Sequence, residues 1–102
     1  MSMNEQTYLL VKIAEECVEV AQRATKAATF GLDEIQTGQA LTNRARLIQE
    51  FHDLVATMEL LGLTPLELNR DQLDNKKTKV QRYMQYSRDI GTLDAADDWM
   101  PI

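Results

Sequence analysis

Proline occurs twice, glycine four times and cysteine once in the 102 residues, and aromatic residues make up 6% of the chain. Strand-and-turn folds draw on turn formers and on aromatic or β-branched runs, so this scarcity leaves helix as the expected state. Cys17 alone cannot form an internal disulfide. The first residues lack the basic segment and apolar run of a secretory leader, and a reducing cytosol is the expected setting. No stretch approaches the ~18 uninterrupted apolar residues needed to span a bilayer. Positive charge is also short. Sixteen acidic against eleven basic residues give a net charge of −5, which argues against broad nucleic-acid binding because phosphate neutralisation needs a clustered basic surface. A nucleotide held through a metal stays allowed. A Gly-rich phosphate loop, Gly-x-Ser-x-Gly and an ordered Ser, His and Asp set are all missing, which argues against nucleophilic catalysis. There is no internal repeat or low-complexity tract.

What is present is apolar periodicity. At this length one domain is expected, burying a little over roughly 60% of the surface that the unfolded chain exposes. Ser2-Met3-Asn4-Glu5 has the capping-box pattern and predicts a helix from within the first five residues to about Thr29. Leu10, Ile13, Cys17, Val20, Ala21 and Ala24 recur at three- and four-residue intervals and define its expected buried stripe. On a helical wheel Glu16 lies about 60° and Glu19 about 120° from Ile13, so the two carboxylates border that stripe. From Gly31 to Thr42 the pattern lapses into an expected loop, whose length suggests that it covers a site.

Thr42 or Asn43 is expected to cap a second helix, with Leu47, Ile48, Phe51, Leu54, Val55, Met58 and Leu61 on one face and a stop at Gly62. With Phe51 at zero, Glu50 lies about 100° and Asp53 about 160° to one side. Thr64-Pro65-Leu66-Glu67 predicts the start of a third helix, with Thr at the cap and Pro at the first helical position. Leu66, Leu73, Val80, Tyr83, Ser87 and Ile90 carry it toward Gly91, although Asn69-Arg70-Asp71 is weak helix. Asn75 to Arg82 holds the basic cluster. Residues 92–102, with Trp99 and Pro101, are expected to be an irregular acidic tail after a single helical domain of residues 1–91.

Two helices packed along these stripes bring Glu16 and Glu19 toward Glu50 and Asp53. Four carboxylates held together repel, and a hard divalent cation is the usual resolution. All-oxygen ligands favour Mg²⁺ or Mn²⁺ over Zn²⁺, and such a metal binds substrate phosphates. Lys76, Lys79 and Arg82 would add charge-assisted contacts to the same phosphates. Against this stands the common origin of either acidic pair taken singly, a solvated or salt-bridged face. Glu15 is an outer carboxylate or a water-orienting base. The lysines also suit a solvated face, His52 a surface or packing role, and Cys17 a small buried position.

Glu15-Glu16-Cys17-Val18-Glu19, then Glu50-Phe51-His52-Asp53, then the basic turn from Asn75 to Arg82 stand in the order found in the MazG-like nucleotide pyrophosphohydrolases, the all-α NTP pyrophosphatases, and over most of residues 9 to 83 the chain resembles that family. The resemblance implies an all-α antiparallel bundle of three main helices, completed by forming a homodimer or homotetramer. It implies Mg²⁺ held by Glu16, Glu19, Glu50 and Asp53, with Glu15 beside them and Asn75, Lys76, Lys79 and Arg82 toward the substrate. The implied reaction converts a nucleoside triphosphate and water to the monophosphate and pyrophosphate. A phosphoribosyl-ATP pyrophosphohydrolase and a non-catalytic helical interaction module are the rival expectations.

Overall fold

A computed structural model describes residues 2–63 and 68–96. The described residues form three α-helices and no strand, α1 (Glu5–Phe30), α2 (Asn43–Leu60) and α3 (Arg70–Asp89). None of these helices is long and apolar enough to cross a membrane. The chain divides into two compact units, Met1–Leu66 with α1 and α2, and Glu67–Ile102 with α3.

In the first unit α1 starts two residues later than a Ser2 cap would place it. The Asn4 side chain accepts the backbone N–H of Thr7 at 2.8 Å, which satisfies one of the free donors of the first turn. Ser2 and Met3 stay outside the helix. At the other end Gly31 takes φ 101°, a value that side-chain-bearing residues avoid, and returns its N–H to the Ala27 carbonyl at 2.8 Å. Helix α2 is capped by Thr42, whose hydroxyl accepts from the Ala45 N–H at 3.1 Å, and the chain turns out of it at Leu61 and Gly62.

Asn43 is the most thoroughly buried polar side chain described, at 3% exposure. Its Nδ2 donates to the Gly31 carbonyl at 2.8 Å and to Glu34 Oε1 at 3.2 Å. Its own N–H donates to the Glu34 carbonyl, and the Arg44 N–H donates to the Leu32 carbonyl, both at 2.9 Å. One side chain thereby ties the end of α1 to the start of α2 and closes the connecting loop. The two helices therefore run antiparallel.

The faces that pack differ from the expected stripes. On α1 the half-buried or buried line runs through Leu9, Ile13, Glu16, Val20, Arg23 and Ala27, a face turned about 40° from Ile13 toward Glu16. Leu10, Cys17, Ala21 and Ala24 are exposed instead, which corrects the buried place expected for Cys17. On α2 the line runs through Asn43, Leu47, Glu50, Leu54 and Met58, about 60° from Phe51 toward Glu50. Ile48 and Phe51 are each 51% exposed. Both helices have rotated their carboxylates into the contact and left part of their apolar surface outside it. Among the described residues only Ala27 is a buried apolar side chain.

In the second unit the Thr64 to Glu67 start expected for the third helix lies outside the described residues. Leu68 and Asn69 are not helical, and α3 begins at Arg70 with the Asn69 side chain accepting the Gln72 N–H at 2.9 Å. The weak helix former thus serves as the cap. Asp71 adds an acid to the first turn, and Arg70 pairs with Asp74 at 3.3 Å. After Asp89 the chain folds back, with Thr92 N–H to the Ser87 carbonyl at 2.9 Å and Arg88 Nε to the Asp94 carbonyl at 3.1 Å. No residue of α3 is buried, and Tyr83, Tyr86 and Ile90 are exposed. Trp99 and Pro101 lie outside the described residues.

Candidate metal centre

The rotation of the two helices gives the site its geometry. Glu16 of α1 and Glu50 and Asp53 of α2 each offer a carboxylate oxygen, and these oxygens lie within 4.8 Å of one another. Glu50 and Asp53 are three residues apart, so α2 presents them as neighbours on one side. Glu16 reaches them because it stands in the packed line of α1. Glu16 and Glu50 are half-buried and Asp53 is exposed, so the cluster opens to solvent on the Asp53 side.

Two of these carboxylates each leave one buried oxygen without a partner. Glu16 Oε2 and Glu50 Oε2 are buried and accept no hydrogen bond, an arrangement that costs free energy unless something else supplies the contact. Burial, then the like charges of Glu19 and Asp53, push the Glu16 carboxyl above its ordinary 4.5, with Lys12 opposing the shift. Glu50 is raised in the same direction, by burial first and then by Glu19, Asp53 and Glu16. Among the described residues no cation forms an ion pair with any of the three.

A hard divalent cation fits this donor set. Mg²⁺ binds oxygen at about 2.1 Å, so two of its ligands stand at most ~4.2 Å apart. Glu19 is exposed and outside the mutually close set, yet near enough for its charge to act on both Glu16 and Glu50.

The remaining residues singled out in the sequence are placed as follows. Glu15 pairs with Lys12 Nζ at 3.0 Å on the exposed side of α1, and Lys12 also lies 5.6 Å from the Tyr8 ring centre. His52 donates from Nδ1 to the Ile48 carbonyl at 2.8 Å and meets Phe51 edge to face, a helix-surface role apart from the carboxylates. Asn75, Lys76, Lys79 and Arg82 are exposed on α3 in the second unit. The loop after α1 helps to form a groove of its own. With Lys26 and Phe30 it lines a groove of about 220 Å³ through Glu34, Ile35, Gln36 and Thr37, roughly 15–21 Å along α1 from Glu16.

Comparison with family profiles, characterised proteins and solved structures finds no match of any of the three kinds.

Two further residues matter to this hairpin and stand outside the acidic and basic motifs, Asn43 as the loop tie and Arg23 as a half-buried cation. Arg23 follows Glu16 by seven residues and Glu19 by four, so the same periodicity that picked out the carboxylates also marks it.

Proposed function

We propose that the protein is a Mg²⁺-dependent nucleoside triphosphate pyrophosphohydrolase of the MazG-like kind, with Mn²⁺ as an alternative cation. The observation that carries this reading is the meeting of Glu16, Glu50 and Asp53 within 4.8 Å, with buried oxygens of Glu16 and Glu50 left unpartnered. The order of the acidic motifs and of the basic segment that follows them supports it.

Glu16, Glu50 and Asp53 would hold the cation, with Glu19 the fourth carboxylate beside them. When bound, it supplies positive charge to a substrate phosphate and lowers the pKa of a bound water. The protein's part is to fix four acidic groups on two helices, to half-shield the Glu16 and Glu50 side and to leave the Asp53 side open for substrate. Attack between the α- and β-phosphates gives the nucleoside monophosphate and pyrophosphate. Asn75, Lys76, Lys79 and Arg82, exposed on α3, are proposed to bind phosphate. The reading includes a homodimer or homotetramer, because Leu10, Val18, Ile48 and Phe51 leave an apolar surface uncovered on the hairpin.

The test incubates the pure protein with Mg²⁺ and each NTP and dNTP in turn and measures pyrophosphate. Release of pyrophosphate with monophosphate is expected for at least one nucleotide. Orthophosphate alone would overturn the α/β cleavage. Neither product, with no change in melting temperature on adding Mg²⁺, would favour a helical interaction module instead.

A further inference from the structure

The packed face of α1 also carries a cation without an anion. Arg23 is half-buried, and its Nη1 is buried with no hydrogen-bond partner. It enters none of the ion pairs among the described residues. A guanidinium keeps its charge at every working pH and presents five N–H donors in a planar fork, so a buried and unanswered N–H is a standing cost.

Its position gives this cost a direction. Arg23 lies within about 20° of Glu16 around the helix and about 10 Å further along it. Glu19 and Glu16 stand one and two turns before it, on the side toward which long helical side chains generally lean. The carboxylates nevertheless do not engage it. Arg46, one turn before Glu50 on α2, differs because its Nη1 already donates to Gln36 Oε1 at 2.9 Å.

Unanswered charges of both signs therefore stand along one face. A cation alone would satisfy Glu16 and Glu50, and a free anion alone would satisfy only Arg23. A metal-chelated phosphoric anhydride would satisfy both, sharing the cation at one phosphate and accepting from the guanidinium at another. We propose that Arg23 binds a phosphate group of the anhydride ligand taken up at the carboxylate centre. The proposal rests on the metal-site part of the functional reading and not on hydrolysis. It places a phosphate contact in the first unit, apart from the basic cluster of α3.

The test uses the full chain with inorganic pyrophosphate as the probe. Wild type, Arg23→Met and Arg23→Lys are titrated calorimetrically in saturating Mg²⁺, alongside the nucleotide assay. Methionine keeps an apolar stem and removes the charge, so pyrophosphate affinity should fall about 10- to 100-fold. The melting shift caused by Mg²⁺ alone should match that of wild type. Lysine should recover part of the affinity, because it restores charge without the fork. Equal affinity in wild type and Arg23→Met, or no pyrophosphate binding by wild type, overturns the proposal. If Arg23→Met melts below wild type, Arg23→Lys decides, and an affinity equal to wild type counts against the fork. Pyrophosphate bound through Arg23 with no nucleotide hydrolysed would leave the proposal standing and remove the enzymatic reading. Normal hydrolysis and unchanged KM in Arg23→Met would do the reverse.

Discussion

Glu16 and Glu50, from opposite helices of one hairpin, bring carboxylate oxygens within 4.8 Å, and each buries an oxygen that nothing satisfies. Both acids are raised above their ordinary 4.5, so the folded chain holds protons that the unfolded chain releases. Stability then falls as pH rises from 4.5 through the raised values, and is fully present only below the ordinary value. Melting in chelator should show a lower melting temperature at pH 7.5 than at pH 5. Saturating Mg²⁺ should flatten or invert that slope, because the cation binds the deprotonated form. A chelated protein whose melting temperature does not fall over this range would contradict the placement of these two acids.

Glu50→Gln and Asp53→Asn keep side-chain size and remove a charge from a crowded anionic set. Turnover should drop by about 100-fold or more, while circular dichroism reports unchanged helix content. In chelator both variants should melt no lower than wild type, and neither should show the wild-type stabilisation by Mg²⁺. Loss of helix content in parallel with activity would make these residues structural.

Asn43 donates to two acceptors, so its substitutions should rank by what they leave behind. Asn43→Ala strands the Gly31 carbonyl and should cost about 1–3 kcal/mol in chemical denaturation. Asn43→Asp sets a charged acceptor against that carbonyl and the Glu34 carboxylate. It should cost more than Asn43→Ala at neutral pH, despite the favourable place of an acid at a helix N-terminus. The opposite order would mean that the loop closes by some other contact.

The exposed apolar face predicts self-association. Wild type should sediment as a dimer or larger species at micromolar concentration, and Ile48→Lys or Phe51→Lys should shift it toward monomer, since each places a charge where apolar surface would be buried. A monomeric wild type would remove the oligomeric part of the proposal.

Replacing Lys76, Lys79 and Arg82 together by Gln should raise KM for the nucleotide about tenfold or more and leave the Mg²⁺ melting shift intact. An unchanged KM would return that cluster to a solvated face of α3.

Local chemistry made the helix ends legible. Thr42 caps α2 as its hydroxyl suggests, and α1 stops at Gly31, because both signals depend on a few neighbouring residues. The capping-box pattern pointed to Ser2, whereas the bond from the Thr7 N–H makes Asn4 the cap and starts α1 two residues later. The packed faces were harder to foresee. Apolar spacing on α1 marks a stripe from Leu10 round to Val20 without saying which part the partner helix covers. Covering the Glu16 side left Leu10 and Cys17 outside, which no single-helix pattern encodes. The acidic quartet was legible as two spaced pairs, whereas which three of its oxygens come within 4.8 Å of one another depends on how the two helices pack. Asn43 was legible only as a capping alternative, because its bonds join residues nine and twelve positions away.

The bonds of Asn43 and Arg44 to Gly31, Leu32 and Glu34 join the two ends of the loop and leave Gly38 between them. The turn around Gly38 is therefore a side excursion from an already closed ring. Lengthening such an excursion costs little, since closure entropy grows only with the logarithm of its length. The bond between Gly38 and Gln39 is accordingly the place to splice in a peptide tag or a small reporter domain, at the cost of the local bond from the Gln39 N–H to the Gln36 carbonyl.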